Sequence, residues 1–204
     1  MRTSSILFDN LILHNSIVRL RPISESDIDK FARMASDLVS VWKYFACKME
    51  NTNDMTLYIQ ESLKQQKLGL RQTFAIENIE TNEIVGSTAF AAYSQNDQRA
   101  EIGWSFLKQE FQGTGINKNA KFLLLKFGFD NLNLERIEFK TDVLNQRARN
   151  ALTKIGAIEE GILRSHTVMP NGRRRDTIYY SILRDEWPNV LSNIFAESND
   201  CRIG

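Results

Sequence analysis

The sequence predicts one domain of the mixed α+β class, and both composition and element order support this. The chain has 204 residues, of which 42% are hydrophobic and 25% charged, as in a globular domain with one sizeable core. Strand-like and helix-like apolar patterns follow in the order strand, helices, three strands, helix, strand, helix, two strands. This order lacks a regular strand–helix alternation, so it predicts antiparallel hairpins around one helical crossover.

The first half of the chain predicts a strand, helices and a hairpin. Residues 17–23 alternate apolar and basic side chains, which is typical of a half-buried strand. Ser24 and Asp27 are candidate helix N-caps, and a helical pattern follows them. Further along, the patterns predict a mostly helical segment over 41–68 and two strands over 72–77 and 84–93, joined by a turn.

The second half predicts a central strand, a buried helix and a final hairpin. In residues 101–107 the alternation places Ile102, Trp104 and Phe106 on one face of a strand and Glu101, Gly103 and Ser105 on the other. A helix that is apolar nearly all round should follow, to about Leu132, and lie buried on the sheet. The remaining predicted elements are a strand over 136–143, a helix over 146–155 and strands over 157–169 and 174–183. Trp187-Pro188 is predicted to end the regular structure, with no assignment after Asn189.

Composition disfavours several functional classes. A net charge of +1 provides no general attraction for nucleic acid or for an anionic membrane, and no apolar stretch approaches the roughly 20 residues of a membrane helix. Cys47 and Cys201 are far apart in sequence and His14 and His166 are the only histidines, so neither a disulfide framework nor a zinc cluster is expected. We expect a cytoplasmic monomer or homodimer, folded as one domain over 1–204, without a metal.

The most informative segment is the glycine loop of residues 112–115, Gln-Gly-Thr-Gly, which runs directly into the apolar helix. A glycine turn that opens a helix gathers backbone N–H groups at the positive end of the helix dipole, where a phosphate binds. Two nucleotide motifs fit the segment poorly. A dinucleotide fingerprint needs a third glycine where Lys118 stands, and a P-loop needs lysine where Ile116 stands.

These residues resemble the acetyl-CoA loop of the GNAT superfamily of N-acetyltransferases, in particular the branch that acetylates the N-termini of ribosomal proteins. Glu110 departs from the family pattern at its first position, whereas the Gln-Gly-x-Gly form is frequent in that branch. The resemblance extends over about residues 17–188 and is carried by Leu20-Arg21-Pro22, Glu101-Ile-Gly-Trp104, residues 138–142, Asn145, residues 154–157, Asn171-Gly172, residues 175–177 and Glu186-Trp187.

The resemblance implies a mostly antiparallel sheet of about seven strands, flanked by helices and splayed between its fourth and fifth strands. Acetyl-CoA would be the co-substrate, with its pantetheine arm in the gap. The implied donor-binding groups are the backbone of Phe106 and Leu107, the loop Gln112, Gly113, Thr114, Gly115, Ile116 and Asn117, and the side chains of Asn145 and Asn150.

The implied reaction is direct attack of an amine on the acetyl thioester, for which the amine must first lose a proton. Glu101 is the candidate base; a structural pairing with Arg99 remains the alternative. Glu138, Asp142 and Glu160 are rivals, although Glu138 is expected to be solvated, and Asp176 is expected to anchor the hairpin. Relatives often carry a serine three residues after Asn145 as the proton donor to the thiolate; this chain has Ala148 there, which leaves water, Tyr179 or Tyr180.

Two functions remain open at this point. One is an acetyl-CoA-dependent N-acetyltransferase acting on a primary amine, either a protein N-terminus or a small molecule. The other is a non-catalytic acyl-CoA-binding sensor or scaffold of the same fold. Aromatic residues of the early helices either line an acceptor cleft or belong to the core; they are Trp42, Tyr44 and Phe45. Cys47 lacks an evident basic partner that would make it a nucleophile.

Overall fold

The computed structural model describes residues 10–198 and 202–203, and within them nine strands form one open sheet. The strands are β1 (Leu13–His14), β2 (Val18–Pro22), β3 (Arg71–Asn78), β4 (Ile84–Ser94), β5 (Arg99–Leu107), β6 (Arg136–Asp142), β7 (Ile158–Val168), β8 (Arg174–Leu183) and β9 (Arg202–Ile203). The helices are α1 (Ile28–Ala32), α2 (Val39–Trp42), α3 (Thr52–Lys67), α4 (Ile116–Lys126), α5 (Gln146–Lys154) and α6 (Trp187–Ile194). No helix of the described ranges is long and apolar enough to cross a membrane.

The sheet has the order β7-β8-β6-β5-β4-β3-β2-β1-β9, and every neighbouring pair is antiparallel except β5 and β6. These two parallel strands pair only at Arg99–Arg136, Ala100–Ile137 and Glu101–Glu138. Beyond Glu101 they diverge, which opens a gap at their carboxyl ends. The mostly antiparallel, splayed sheet implied by the resemblance is therefore confirmed, with β1 and β9 as two further short strands.

Two hydrophobic cores cover opposite faces of the sheet. One face packs against α4, α5 and α6, and the other against α1, α2 and α3. The predicted burial of α4 is confirmed, because four consecutive side chains are fully enclosed: Phe122, Leu123, Leu124 and Leu125. A helix enclosed in this way is held firmly against the sheet.

The opening strand and helix form as predicted. Ser24 and Asp27 make a capping box, in which the Ser24 amide donates to Asp27 Oδ2 over 2.9 Å. Arg21 donates to both oxygens of Asp27, at 2.7 and 2.8 Å, and hydrogen bonds with this guanidinium help to hold the pKa of Asp27 low although burial opposes them. The Leu-Arg-Pro segment is thus joined to the start of the first helix by a partly buried ion pair.

One prediction about the helices is confirmed and one needs correction. The segment 41–68 is mostly helical but interrupted: α2 ends at Trp42 and α3 begins at Thr52, after Asn51 adopts an extended φ of −150° and accepts from the Asp54 amide. Trp187-Pro188 does not end the regular structure but begins α6, because proline is well tolerated in the first turn of a helix. Trp187 is buried and stacks on Phe129 with 5.4 Å between ring centroids.

Candidate active site

A bulge in β5 shapes the gap. Ser87 pairs with Phe106 whereas Ala89 pairs with Gly103, so β5 has one residue more than β4 over this stretch. Trp104 lies in the bulge with a φ of +49°, a conformation that is uncommon for a residue with a Cβ atom. The bulge reverses the side-chain alternation of the strand that follows it.

The predicted faces of β5 are therefore correct only as far as Gly103. Ile102 packs into the core beneath α4, but Phe106 packs on the opposite face against Trp42, with ring centroids 5.0 Å apart. Ser105 does not share a face with Glu101; its hydroxyl group meets Lys121 of α4. A positive φ at tryptophan has no signal in a hydropathy pattern, and this is why the sequence did not reveal the reversal.

The backbone of Phe106 and Leu107 borders the gap. Both residues pair with β4 on one side, while β6 has separated from β5 on the other. Their side chains are buried and contribute to the cores. Trp42 is a core residue that packs on the Phe106 ring, and the partly buried Phe45 packs against the same ring. Tyr44 is half-buried and has the Lys43 ammonium over its ring.

The glycine loop lies at the open end of the gap. Gly113 and Gly115 have φ values of +83° and +90°, and Gly115 is the N-cap of α4. Among the described residues, no acceptor receives the backbone N–H groups of residues 113–117. The loop is braced from within, because Gln112 Nε2 donates to Leu107 O over 2.8 Å and Thr114 Oγ1 donates to Phe111 O over 2.7 Å. A seated loop with free amides at a helix N-terminus is suited to hold a phosphate.

Asn145 lies at the same end of the sheet, because it follows β6 as the loop follows the parallel strand β5. Its Oδ1 accepts from the Ala148 amide over 3.1 Å and caps α5, which leaves the Nδ2 group for another partner. Asn150 is exposed one turn further along and accepts from Gln146 Nε2. The N-termini of α4 and α5 thus border the gap from opposite sides.

Glu101 belongs to a buried cluster of charged side chains on the face of the sheet opposite α4. Lys140 donates to Glu101 Oε2 over 2.8 Å and contacts Glu138 Oε1 at 3.1 Å. Burial lowers the pKa of the Lys140 ammonium, but the hydrogen bonds to both carboxylates outweigh burial and raise it overall. Arg99 pairs with Asp97, so the structural alternative for Glu101 takes the form of an ion pair with Lys140 rather than with Arg99. Glu138, which was expected to be solvated, is buried.

Gly103 makes room for the Glu101 carboxylate. A Cβ atom at position 103 would lie 3.2 Å from Glu101 Oε1, so the carboxylate rests against the bare backbone just before the bulge. This places a carboxylate oxygen beside the point at which β5 separates from β6. The position is suited to a base that serves a reaction in the gap.

The rival acidic residues have structural partners. The Arg136 guanidinium holds the pKa of Glu160 below its usual range, and Asp142 is hydrogen-bonded to Arg173. Asp176 accepts from the Ser165 amide over 2.6 Å, within the hairpin that it was expected to anchor. Glu101 and Glu138 are both buried at the last residue pair before β5 and β6 diverge, and of the two it is Glu101 whose carboxylate lies against Gly103 at the bulge.

Other candidate groups are also accounted for. The hydroxyl group of Tyr180 donates to Glu159 over 3.0 Å on the α5 side, whereas Tyr179 lies on the Glu101 side with its ring 5.1 Å from Lys140 Nζ. Burial raises the pKa of the Cys47 thiol to about 11, which disfavours the thiolate. Cys201 lies outside the described residues. Across the described chain, no group of three or more His, Cys, Asp or Glu side chains could hold a metal ion.

Lys121 was not identified from the sequence. It lies inside α4, and its Nζ donates to Ser105 Oγ and, over 3.2 Å, to Thr88 Oγ1. A lysine within an apolar helix ordinarily extends its amine to solvent, so sequence alone could not distinguish this buried position from a surface one.

The fold and the site together are typical of a class of transferases. They combine an open gap between two parallel strands, free backbone amides where the gap opens and a carboxylate beside it. The family model described as acetyltransferase (GNAT) domain matches residues 18–158. The chain belongs to the GNAT acetyltransferase family and is by class an N-acetyltransferase.

Individual relatives agree with this assignment. The N-acetyltransferase YoaA of Bacillus subtilis is 31% identical over 85% of this chain and 97% of its own length. YdaF of the same organism, named as a candidate ribosomal N-acetyltransferase, is 27% identical over 85% of this chain and 94% of its own. The structure of Mycobacterium smegmatis RimJ in complex with CoA-disulfide has the same fold, with a TM-score of 0.77, 20% identity and coverage of 94% and 96% of the two chains.

Proposed function

We propose that this protein transfers the acetyl group of acetyl-CoA to a primary amine, with the donor held in the gap between β5 and β6. The observation that carries the proposal is the set of unpartnered amides at residues 113–117, located where the gap opens. A pyrophosphate would satisfy these amides and gain from the dipole of α4.

The rest of the donor fits the same gap. The backbone of Phe106 and Leu107 can pair with the amide groups of pantetheine, in the way that a further strand would pair with β5. Asn145 Nδ2 can donate to the arm from the other side, and Asn150 is available further along α5. Both the side chain and the backbone N–H group of Gln112 donate within the protein, to Leu107 O and Gln109 O, and the side chain of Ile116 is buried, so Ile116 offers only its backbone N–H group.

In the proposed chemistry Glu101 accepts the proton of the acceptor ammonium, directly or through a water molecule. The free amine then attacks the thioester carbonyl, and the C–S bond breaks as the amide forms. The second proton that the attacking nitrogen loses passes, directly or through water, to the departing sulfur, so CoA leaves as a thiol. Lys140 remains paired with Glu138 while Glu101 changes its protonation state, which keeps the buried cluster hydrogen-bonded throughout.

The acceptor is a primary amine of a protein N-terminus or of a small molecule. The name of YdaF makes peptides with ribosomal-protein N-termini the first acceptors to test. Release of CoA thiol from acetyl-CoA should be measured with such peptides and with an amine panel, beside calorimetry of CoA binding. We expect binding together with turnover on at least one amine. Binding without turnover on any amine would contradict the proposed reaction, and absence of CoA binding would contradict the donor site.

A further inference from the structure

Lys121 is a buried lysine with no carboxylate partner among the residues that the structure describes. Lys121 is 4% exposed, and within the described part of the chain it forms no ion pair. Its hydrogen-bond acceptors are two hydroxyl groups, Ser105 Oγ and Thr88 Oγ1. Burial alone lowers the pKa of the ammonium to about 7, since no charged group opposes it. The side chain therefore destabilises the folded state in which it is enclosed.

The two hydroxyl groups tie Lys121 to the β5 bulge. Thr88 Oγ1 and Ser105 Oγ lie 2.9 Å apart, and Ser105 Oγ donates to Gly103 O over 3.1 Å. The Ser105 hydroxyl thus spans Trp104, the residue with positive φ. Lys121 belongs to α4, the helix that begins at the glycine loop. Through these hydroxyl groups it holds β5 at the bulge.

We propose that Lys121 is a positioning residue for the donor: through Ser105 it fixes the bulge that directs the Phe106–Leu107 backbone into the gap. This inference rests on the proposed function, since it assumes that acetyl-CoA pairs with that backbone. The same helix then positions both ends of the donor, the pyrophosphate by its N-terminus and the pantetheine arm by Lys121. A polar group kept in a core at the expense of stability is expected where function requires it.

Substitution of Lys121 should weaken donor binding without lowering the stability of the fold. Lys121→Met keeps a long side chain but removes the amine, so it should leave the melting temperature unchanged or raise it. CoA affinity should nevertheless fall roughly tenfold, which corresponds to one hydrogen bond to a charged group. Ser105→Ala removes the other partner of the same contact and should weaken CoA binding by a similar factor. A residue with a purely structural role would instead lower the melting temperature.

The test is calorimetry of CoA binding, with melting curves, for the wild type, Lys121→Met, Ser105→Ala and the double variant. The double variant should bind about as weakly as the weaker of the single variants, because both substitutions break the Lys121–Ser105 contact. Lys126→Met is the matched control: Lys126 is on the same helix, pairs with Asp130 at 2.7 Å and should keep CoA affinity within about twofold.

Different results would contradict the proposed donor site and the positioning role of Lys121. If the wild type binds no CoA, the proposed donor site is wrong. If the wild type binds CoA and both single variants bind it equally well, Lys121 does not position the donor. Losses that multiply in the double variant would also overturn the inference, because they would mean that Lys121 and Ser105 act separately. Should Lys121→Met fail to fold, Ser105→Ala provides the same comparison.

Discussion

At the scale of single residues, the site depends on charges enclosed next to a gap. Glu101 and Glu138 are adjacent on neighbouring strands, and two carboxylates so close would repel each other if Lys140 did not bridge them. The bridge keeps Glu101 in place without occupying both of its oxygens. Oε1 remains next to Gly103 and is the oxygen that would act as the proposed base.

The first prediction concerns this carboxylate. Glu101→Gln preserves shape and a hydrogen-bonding oxygen but removes the basic group, so turnover should fall by about 100- to 10,000-fold. CoA affinity should stay the same, because the loop and the strand edge are untouched. Steady-state rates and calorimetry measure the two effects, and Glu83→Gln in an exposed turn is the matched control. An unchanged rate in Glu101→Gln would transfer the role of base to another group, with Glu138 the next to test.

The second prediction concerns Lys121 and pH. In the unfolded chain its pKa is about 10.4, whereas burial lowers it to about 7 in the fold, so between these values the unfolded state binds more protons. Stability should therefore rise with pH across this window, by roughly 1.4 kcal/mol per pH unit from this one group. Below pH 7 the Lys121 ammonium is charged in both the folded and the unfolded state, so the full free-energy cost of burying it is present.

Urea unfolding of the wild type and Lys121→Met at several pH values isolates this contribution, since the other titrating groups cancel in the difference. The variant should be more stable relative to the wild type at pH 7 than at pH 10. A stability difference that does not change with pH would show that the Lys121 ammonium keeps an ordinary pKa.

At the scale of elements, much of the site could be predicted because its signals are local. The glycine loop, the apolar helix after it and the paired strands all follow from periodicity and turn residues, and each forms close to its predicted bounds. The bulge at Trp104 could not be predicted, because it is stabilised by Lys121 and by β4, which are distant in sequence. β1 and β9 have two residues each, too few for any period to appear.

The third prediction concerns the loop. Gly115 has a φ of +90° and its nearest neighbour to an added Cβ is 3.9 Å away, so Gly115→Glu is strained by its backbone but not by packing. The new carboxylate would lie among the backbone amides that are proposed to bind the pyrophosphate. Because both groups are negatively charged, CoA binding should be lost. Gly172→Glu is the matched control, since Gly172 has a φ of +80° in the β7–β8 turn and open space around it.

Both glycine variants should lose similar amounts of stability, of about 1–2 kcal/mol for a left-handed residue with a side chain. Only Gly115→Glu should lose CoA binding in calorimetry. If both variants lost it, backbone strain rather than the loop itself would explain the effect. If neither did, the pyrophosphate would bind elsewhere.

At the scale of the whole molecule, the sheet consists of two parts held together at one end. Strands β1–β5 with β9 form one part, and β6–β8 form the other. Direct pairing between them is limited to the three residue pairs at the start of β5 and β6. The loop before α4 belongs to the first part and the Asn145 cap of α5 to the second, so a donor in the gap would contact both.

The last prediction follows from that geometry. CoA at 100 times its dissociation constant should stabilise the fold by about 2.7 kcal/mol, provided that the unfolded chain does not bind it. The gain should appear on both sides of the gap, because the ligand replaces the strand pairing that ends at Glu101. Hydrogen exchange should therefore slow in residues 112–118 and also in residues 143–148. Protection confined to the glycine loop would mean that CoA rests on α4 alone, and that the divergence of β5 and β6 serves some purpose other than holding the donor.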